Sequence, residues 1–139
     1  MLTVDLDRVE LKEPEEGMRY EFPMHEGTGN AGSAVVVFEV DPGAELGTHT
    51  DSAEEILLVL QGSGEATVGD ETAPIGAGQL ALVPASVPHG VRNTGSETLR
   101  VVGFFSASAI LSYFSDAPAG APQAFVNGVP AEIAAPVPS

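Results

Sequence analysis

The chain has 139 residues and a mass of 14.2 kDa, the size of one domain built on one core. Cysteine is absent, which removes disulfides, thiolate zinc sites and cysteine nucleophiles together. Five basic residues against twenty acidic ones give a net charge of −15, which argues against nucleic-acid backbones and anionic membrane surfaces as partners.

The first thirty residues are acidic and weakly patterned. Leu2, Val4 and Leu6 alternate, as do Val9 and Leu11, and this predicts two short N-terminal edge strands packing on the body of the fold. No continuous apolar run marks a signal peptide, and no stretch approaches the ~20 apolar residues of a membrane span. The expectation is a soluble, cytoplasmic protein.

Residues 31–115 carry the strong patterning. Ala34–Val40 is β-branched and apolar, and Asp41-Pro42-Gly43 stops it. Ile56–Leu60 follows and ends at Gly62-Ser63-Gly64. Glu65–Val68 turns at Gly69-Asp70, a hairpin-type dipeptide. Thr72–Ile75, Gln79–Val83, Pro88–Arg92 and Leu99–Phe105 complete the series. Short strands with glycine turns between them predict an all-β sandwich or barrel. Leu57, Val59, Leu80, Leu82 and Phe104 are expected in its core. Ile110, Leu111 and Phe114 fall at helical spacing and predict one short helix over residues 106–114. Residues 116–139 hold five prolines, a density that no regular helix or central strand survives. This tail is expected to be extended, or partly disordered, touching the surface through Phe125, Val126 and Ile133.

Two of the three histidines sit in informative places. His49 and Asp51 are two apart, so they share one face if the segment is extended. Glu55 opens the next strand on the face of Leu57 and Val59, where a lone carboxylate needs a cation, donors or a proton. His89 begins a strand and shares its face with Val91 and Asn93, while Arg92 points away. His25 lies outside both clusters and reads as a surface residue. Glu54 reads as a solvated neighbour of Glu55.

These clusters carry a family resemblance. Gly43, His49, Glu55 and Gly62 fall at the spacing of the first cupin motif, G-x5-H-x-H-x3-4-E-x6-G, with Asp51 in place of the second histidine. Gly78, Pro84, His89 and Asn93 fall at the spacing of the second, G-x5-P-x-G-x2-H-x3-N, with Ser86 in place of the glycine. The chain therefore resembles a small single-domain cupin. The resemblance implies a jelly-roll barrel holding one divalent transition metal, with ligand roles for His49, Glu55 and His89 and the fourth role on Asp51. It also implies a homodimer, which edge strands in need of cover would favour.

Two imidazoles and two carboxylates carry about −2 and neutralise a divalent ion, so the set is oxygen-rich and favours iron or manganese, with zinc or nickel as alternatives. Either Asp51 ligates, or it is too short and His49, Glu55 and His89 form a facial triad with Asp51 as an outer acceptor. The leading expectation is an Fe- or Mn-dependent dioxygenase acting on a small organic molecule. The alternatives are a non-catalytic small-ligand binder and a non-redox isomerase or lyase. The fold alone does not choose among them, nor does it name the substrate.

Overall fold

The computed structural model describes residues 1–131. Its strands are β1 (Lys12–Glu15), β2 (Met18–Met24), β3 (Ala34–Val40), β4 (Glu45–Asp51), β5 (Glu55–Gln61), β6 (Ser63–Val68) and β7 (Glu71–Gly76). They continue with β8 (Leu80–Val83), β9 (His89–Arg92), β10 (Leu99–Phe105), β11 (Leu111–Tyr113), β12 (Ala124–Val126) and β13 (Val129–Pro130). Two antiparallel sheets result. One has the order β1-β2-β3-β10-β5-β8, and the other β13-β12-β11-β4-β9-β6-β7. This is the expected all-β jelly roll. No helix among the described residues is long and apolar enough to cross a membrane.

The core lies between the sheets. Inward residues alternate along each strand, giving buried Phe38 and Val40 on β3, Leu57 and Val59 on β5, and Leu99, Val101 and Phe105 on β10. The Gly69-Asp70 turn joins β6 to β7 as expected, with Val68 opposite Glu71. Asn93 locks one end of the barrel. Its side-chain amide donates to the carbonyls of Val40 and Glu97, each at 2.8 Å, and its carbonyl accepts from the Gly95 N–H at 2.9 Å.

Four expectations are corrected. Residues 106–114 do not form a helix. Ser112 is buried between exposed Leu111 and Tyr113, a period of two, and β11 pairs with β4. The N-terminal apolar alternation is not two strands, because Arg100 draws this segment across the outer sheet face. Its guanidinium binds the Leu6 carbonyl at 2.7 Å and Asp7 at 2.9 Å, Leu6–Arg8 forms a 3-10 turn, and edge pairing begins only at Lys12. Leu80, Leu82 and Phe104 are not core. Inward Glu55 and Leu57 pair with Val83 and Ala81, so the alternate residues Leu80 and Leu82 face outward, and Phe104 follows the same parity on β10. The proline-rich tail contributes a strand after all, since β12 lies between β11 and β13. Phe125 and Val126 stand on it, whereas Ile133 lies outside the described residues.

Candidate metal centre

The paired strands β4 and β9 set the two histidines side by side. Leu46 lies opposite Val91, and His49 opposite His89, so three steps along β4 match two along β9. That mismatch is a bulge at Gly47-Thr48, and it turns both Leu46 and His49 inward. The imidazole rings stand 4.2 Å apart between centroids. Each Nδ1 lies against a carbonyl two residues back, His49 on Gly47 at 2.8 Å and His89 on Val87 at 2.9 Å. Donation from Nδ1–H fixes both rings and turns both Nε2 atoms toward the barrel interior.

Carboxylates meet them there. Asp51 Oδ2 lies 3.5 Å from His49 Nε2 and 3.0 Å from His89 Nε2. Glu55 Oε1 lies 3.6 Å from His89 Nε2. All four side chains are buried. The ligand atoms of His49, Asp51 and His89 fall within 4.8 Å of one another, with Glu55 at the edge of that group. Of the two readings of Asp51, the geometry places its carboxylate inside the cluster rather than short of it. Glu54 is exposed, and His25 caps the Glu26–Thr28 turn by accepting from the Gly27 N–H.

Two observations fit this donor set to a divalent ion. With the His89 ring neutral and its hydrogen on Nδ1, Asp51 Oδ2 and His89 Nε2 are two buried acceptors facing each other, an arrangement that folded proteins avoid unless a cation or a proton lies between the atoms. Room is also kept for the fourth donor: a Cβ at position 103 would overlap Glu55 Oε2, so glycine on β10 leaves that carboxylate the place it occupies. His49, Asp51, His89 and Glu55 would hold the ion.

The charges are strongly coupled. Burial opposes an ionised Asp51, but the adjoining His49 and His89 outweigh it and hold this carboxyl below its ordinary range. For Glu55 burial wins, and its carboxyl is pushed up. Burial would also lower His89, yet the Asp51 and Glu55 carboxylates raise it to about 10. In the metal-free state a proton on His89 thus occupies the place of a cation.

The chain after β10 completes the site, and sequence reasoning missed its part. Ser112 on β11 donates to Asp51 Oδ1 at 2.6 Å, which leaves Oδ2 facing the histidines. Phe114 stacks on the His49 ring at 4.5 Å and 19°, and Phe125 packs edge-on against Phe114 at 5.6 Å. The Asn127-Gly128 turn joins β12 to β13, and Tyr20 holds it by donating its hydroxyl to the Gly128 carbonyl. Beside the cluster opens a cavity of about 810 Å³, within the size range of small-molecule sites.

An antiparallel jelly roll with two histidines and two carboxylates facing its interior defines a β-barrel protein with a candidate metal site as the class. Residues 36–105 match the Cupin domain family, and the chain belongs to it. Auxin-binding protein 1 of Arabidopsis thaliana is 33% identical over 78 residues, covering 50% of this chain and 39% of that protein. Among solved structures, the polyketide cyclase RemF of Streptomyces resistomycificus superposes with a TM-score of 0.65 at 22% identity, over 76% of this chain and 78% of that one. The oxalate decarboxylase of Bacillus subtilis, which has Mn(II) centres, gives 0.64 at 24% identity, over 68% of this chain and 27% of that one. These likenesses carry the fold; this chain spans well under half of the plant protein and of the decarboxylase.

Proposed function

We propose that this cupin is a metal-dependent enzyme acting on a small organic molecule, of the iron- or manganese-dependent dioxygenase type. The observation that carries the reading is the buried cluster of His49, Asp51, Glu55 and His89 opening on a cavity large enough for a substrate. Two carboxylates beside two imidazoles form an oxygen-rich donor set, which suits iron and manganese better than softer ligands would. The Mn(II) centres of the structurally similar decarboxylase are in keeping with it. A divalent ion there would supply Lewis acidity and, as iron or manganese, redox chemistry toward dioxygen. The chain's own part is to orient both Nε2 atoms through Gly47 and Val87 and to steady Asp51 through Ser112.

Elemental analysis of untagged protein purified without chelators tests the metal. About one equivalent per chain is expected, and His49→Ala and His89→Ala should each lose it while the barrel stays folded. Unchanged metal content in either variant would end the proposal. Oxygen consumption with candidate substrates then separates a dioxygenase from a non-redox isomerase or lyase.

The reading includes a homodimer. Ile56, Leu80, Leu82 and Phe104 are exposed and adjoin one another on the outer sheet face, an apolar cluster on a strongly acidic molecule. Sedimentation at micromolar concentration is expected to show two chains, and a monomer would remove this part.

A further inference from the structure

The cavity has a chemical bias of its own. Tyr20, Phe22, Phe38, Phe105, Phe114 and Phe125 line it, together with aliphatic Leu57 and Val91. Outside the histidines, Arg92 is the only basic residue among its described lining. Its side chain is 58% exposed and its guanidinium pairs with Glu65 at 3.4 Å, turned away from the interior. Exposed acids edge the opening: Glu15, Glu16, Glu45 and Asp116. Apart from the candidate metal ligands, two hydroxyls of the lining are already engaged. The Tyr20 hydroxyl donates to Gly128, and the Ser112 hydroxyl donates to Asp51.

An anionic ligand would therefore meet three unfavourable terms. It must pass an acidic rim on a molecule of net charge −15. It must leave water for an apolar wall that offers its charge no free cationic partner. It finds little attraction at the centre, because two carboxylates neutralise a divalent ion. An uncharged ring system meets none of these, and the aromatic walls provide stacking and edge contacts.

We infer that the site selects an uncharged, ring-containing ligand bearing a hydroxyl or carbonyl oxygen, and that it discriminates against carboxylic acids, small dicarboxylates included. This rests on the proposed metal site only for where the ligand oxygen is directed. The selection against anions comes from the walls and the rim.

Full-length protein loaded with Zn²⁺, a redox-silent ion, would be titrated calorimetrically with 1-naphthol, with 1-naphthoate and with oxalate. Zinc per chain would be measured on the same samples. The expected result is 1-naphthol binding at least about tenfold more tightly than 1-naphthoate, with oxalate failing to displace it. Phe125→Ala, which leaves the stacked Phe114–His49 pair in place, should weaken 1-naphthol about fivefold or more without changing zinc content. Replacing Glu15, Glu16 and Asp116 by Gln, Gln and Asn should improve 1-naphthoate and leave 1-naphthol unchanged. Equal or tighter binding of 1-naphthoate or oxalate overturns the inference, as does a Phe125→Ala variant with undiminished affinity. If no zinc is retained, the metal reading fails by itself, and the naphthol-to-naphthoate ratio on metal-free protein still decides ligand class.

Discussion

Ser112 donates its hydroxyl to Asp51 across the β11–β4 pair, and both side chains are buried. The bond ties the chain after β10 to the centre of the barrel. One carboxylate oxygen is taken by Ser112, and the other faces His49 and His89. The segment from Leu111 onward is thus a working wall of the site. Asp51, whose place in the first cupin motif belongs to a histidine, has a donor that fixes which oxygen it presents.

Ser112→Ala should loosen that arrangement. A buried Asp51 oxygen would lose the hydrogen bond from Ser112, at a cost of about 1–3 kcal/mol in stability. Groups that orient metal ligands typically cost 10–100-fold in affinity when removed, roughly what this variant should lose. Ser112→Thr keeps the hydroxyl and should recover most of it. Metal dissociation constants and denaturant midpoints for both variants check this. Equal affinities in the alanine and threonine variants would reduce Ser112 to a packing residue.

Gly103→Ala tests the space behind Glu55. The added methyl would overlap Glu55 Oε2 and press on Val36 Cγ1 at 2.9 Å. Because β10 is a central strand paired on both sides, its backbone has little freedom to yield. Overpacking of this kind costs about 1–3 kcal/mol. The expected outcome is a folded barrel with a lowered melting temperature and weakened metal retention. Pairing the variant with Glu55→Ala should restore part of the stability, since the closer of the two clash partners is gone and Val36 remains. A melting temperature for Gly103→Ala unchanged from the native chain would contradict the overlap.

Asn93 belongs to the second motif but has a different task. It is 1% exposed and bridges Val40, Glu97 and Gly95. Asn93→Ala removes the side-chain partner of the buried Val40 carbonyl and of the part-buried Glu97 carbonyl and Gly95 N–H, which should cost about 1–3 kcal/mol. Metal stoichiometry at temperatures where the variant remains folded should stay unchanged. A thermal melt and a metal assay on the same preparation separate the two effects. Loss of metal without loss of stability would reassign Asn93 to the site.

Much of this was legible in the sequence because strand grammar and motif spacing are local signals. The alternation at Ala34–Val40 and Leu99–Phe105, the Gly69-Asp70 turn and the inward trio His89, Val91 and Asn93 all depend on neighbours in the chain. What failed depended on pairing. Leu80, Leu82 and Phe104 are as apolar as core residues, and only the register against Glu55 and Leu57 shows that they face out. Ile110, Leu111 and Phe114 mimic helical spacing until Asp51 captures Ser112. The Asn127-Gly128 dipeptide was a local hairpin signal, overlooked among the surrounding prolines. Phe114 and Gly103 carried no local sign of their role, since a stacked wall and a reserved volume exist only in the assembled barrel.

Proton release on metal uptake offers a separate test of the cluster. In the metal-free protein the Asp51 and Glu55 carboxylates raise His89 to about 10, so its imidazole is protonated at pH 7. Nδ1–H remains on the Val87 carbonyl, and the second proton sits on Nε2 beside Asp51. A metal ion bound at Nε2 must displace that proton, because the ligand is the neutral ring. The sign follows directly. Protons compete with the metal throughout the neutral range, so affinity rises with pH until His89 loses its proton unaided near 10. Below that point one displaced proton gives about a tenfold gain in affinity per pH unit. The raised Glu55 carboxyl steepens the dependence on the acid side, where it too must ionise before it can ligate. Calorimetric titration with Zn²⁺ at pH 7 in two buffers of different ionisation enthalpy measures the protons directly. About one proton per ion, or slightly more, is expected. Heats that do not change with the buffer would mean that the ion binds elsewhere or that His89 is already neutral. Repeating the titration with His89→Gln, which removes the proton carrier, would abolish both the buffer dependence and most of the affinity.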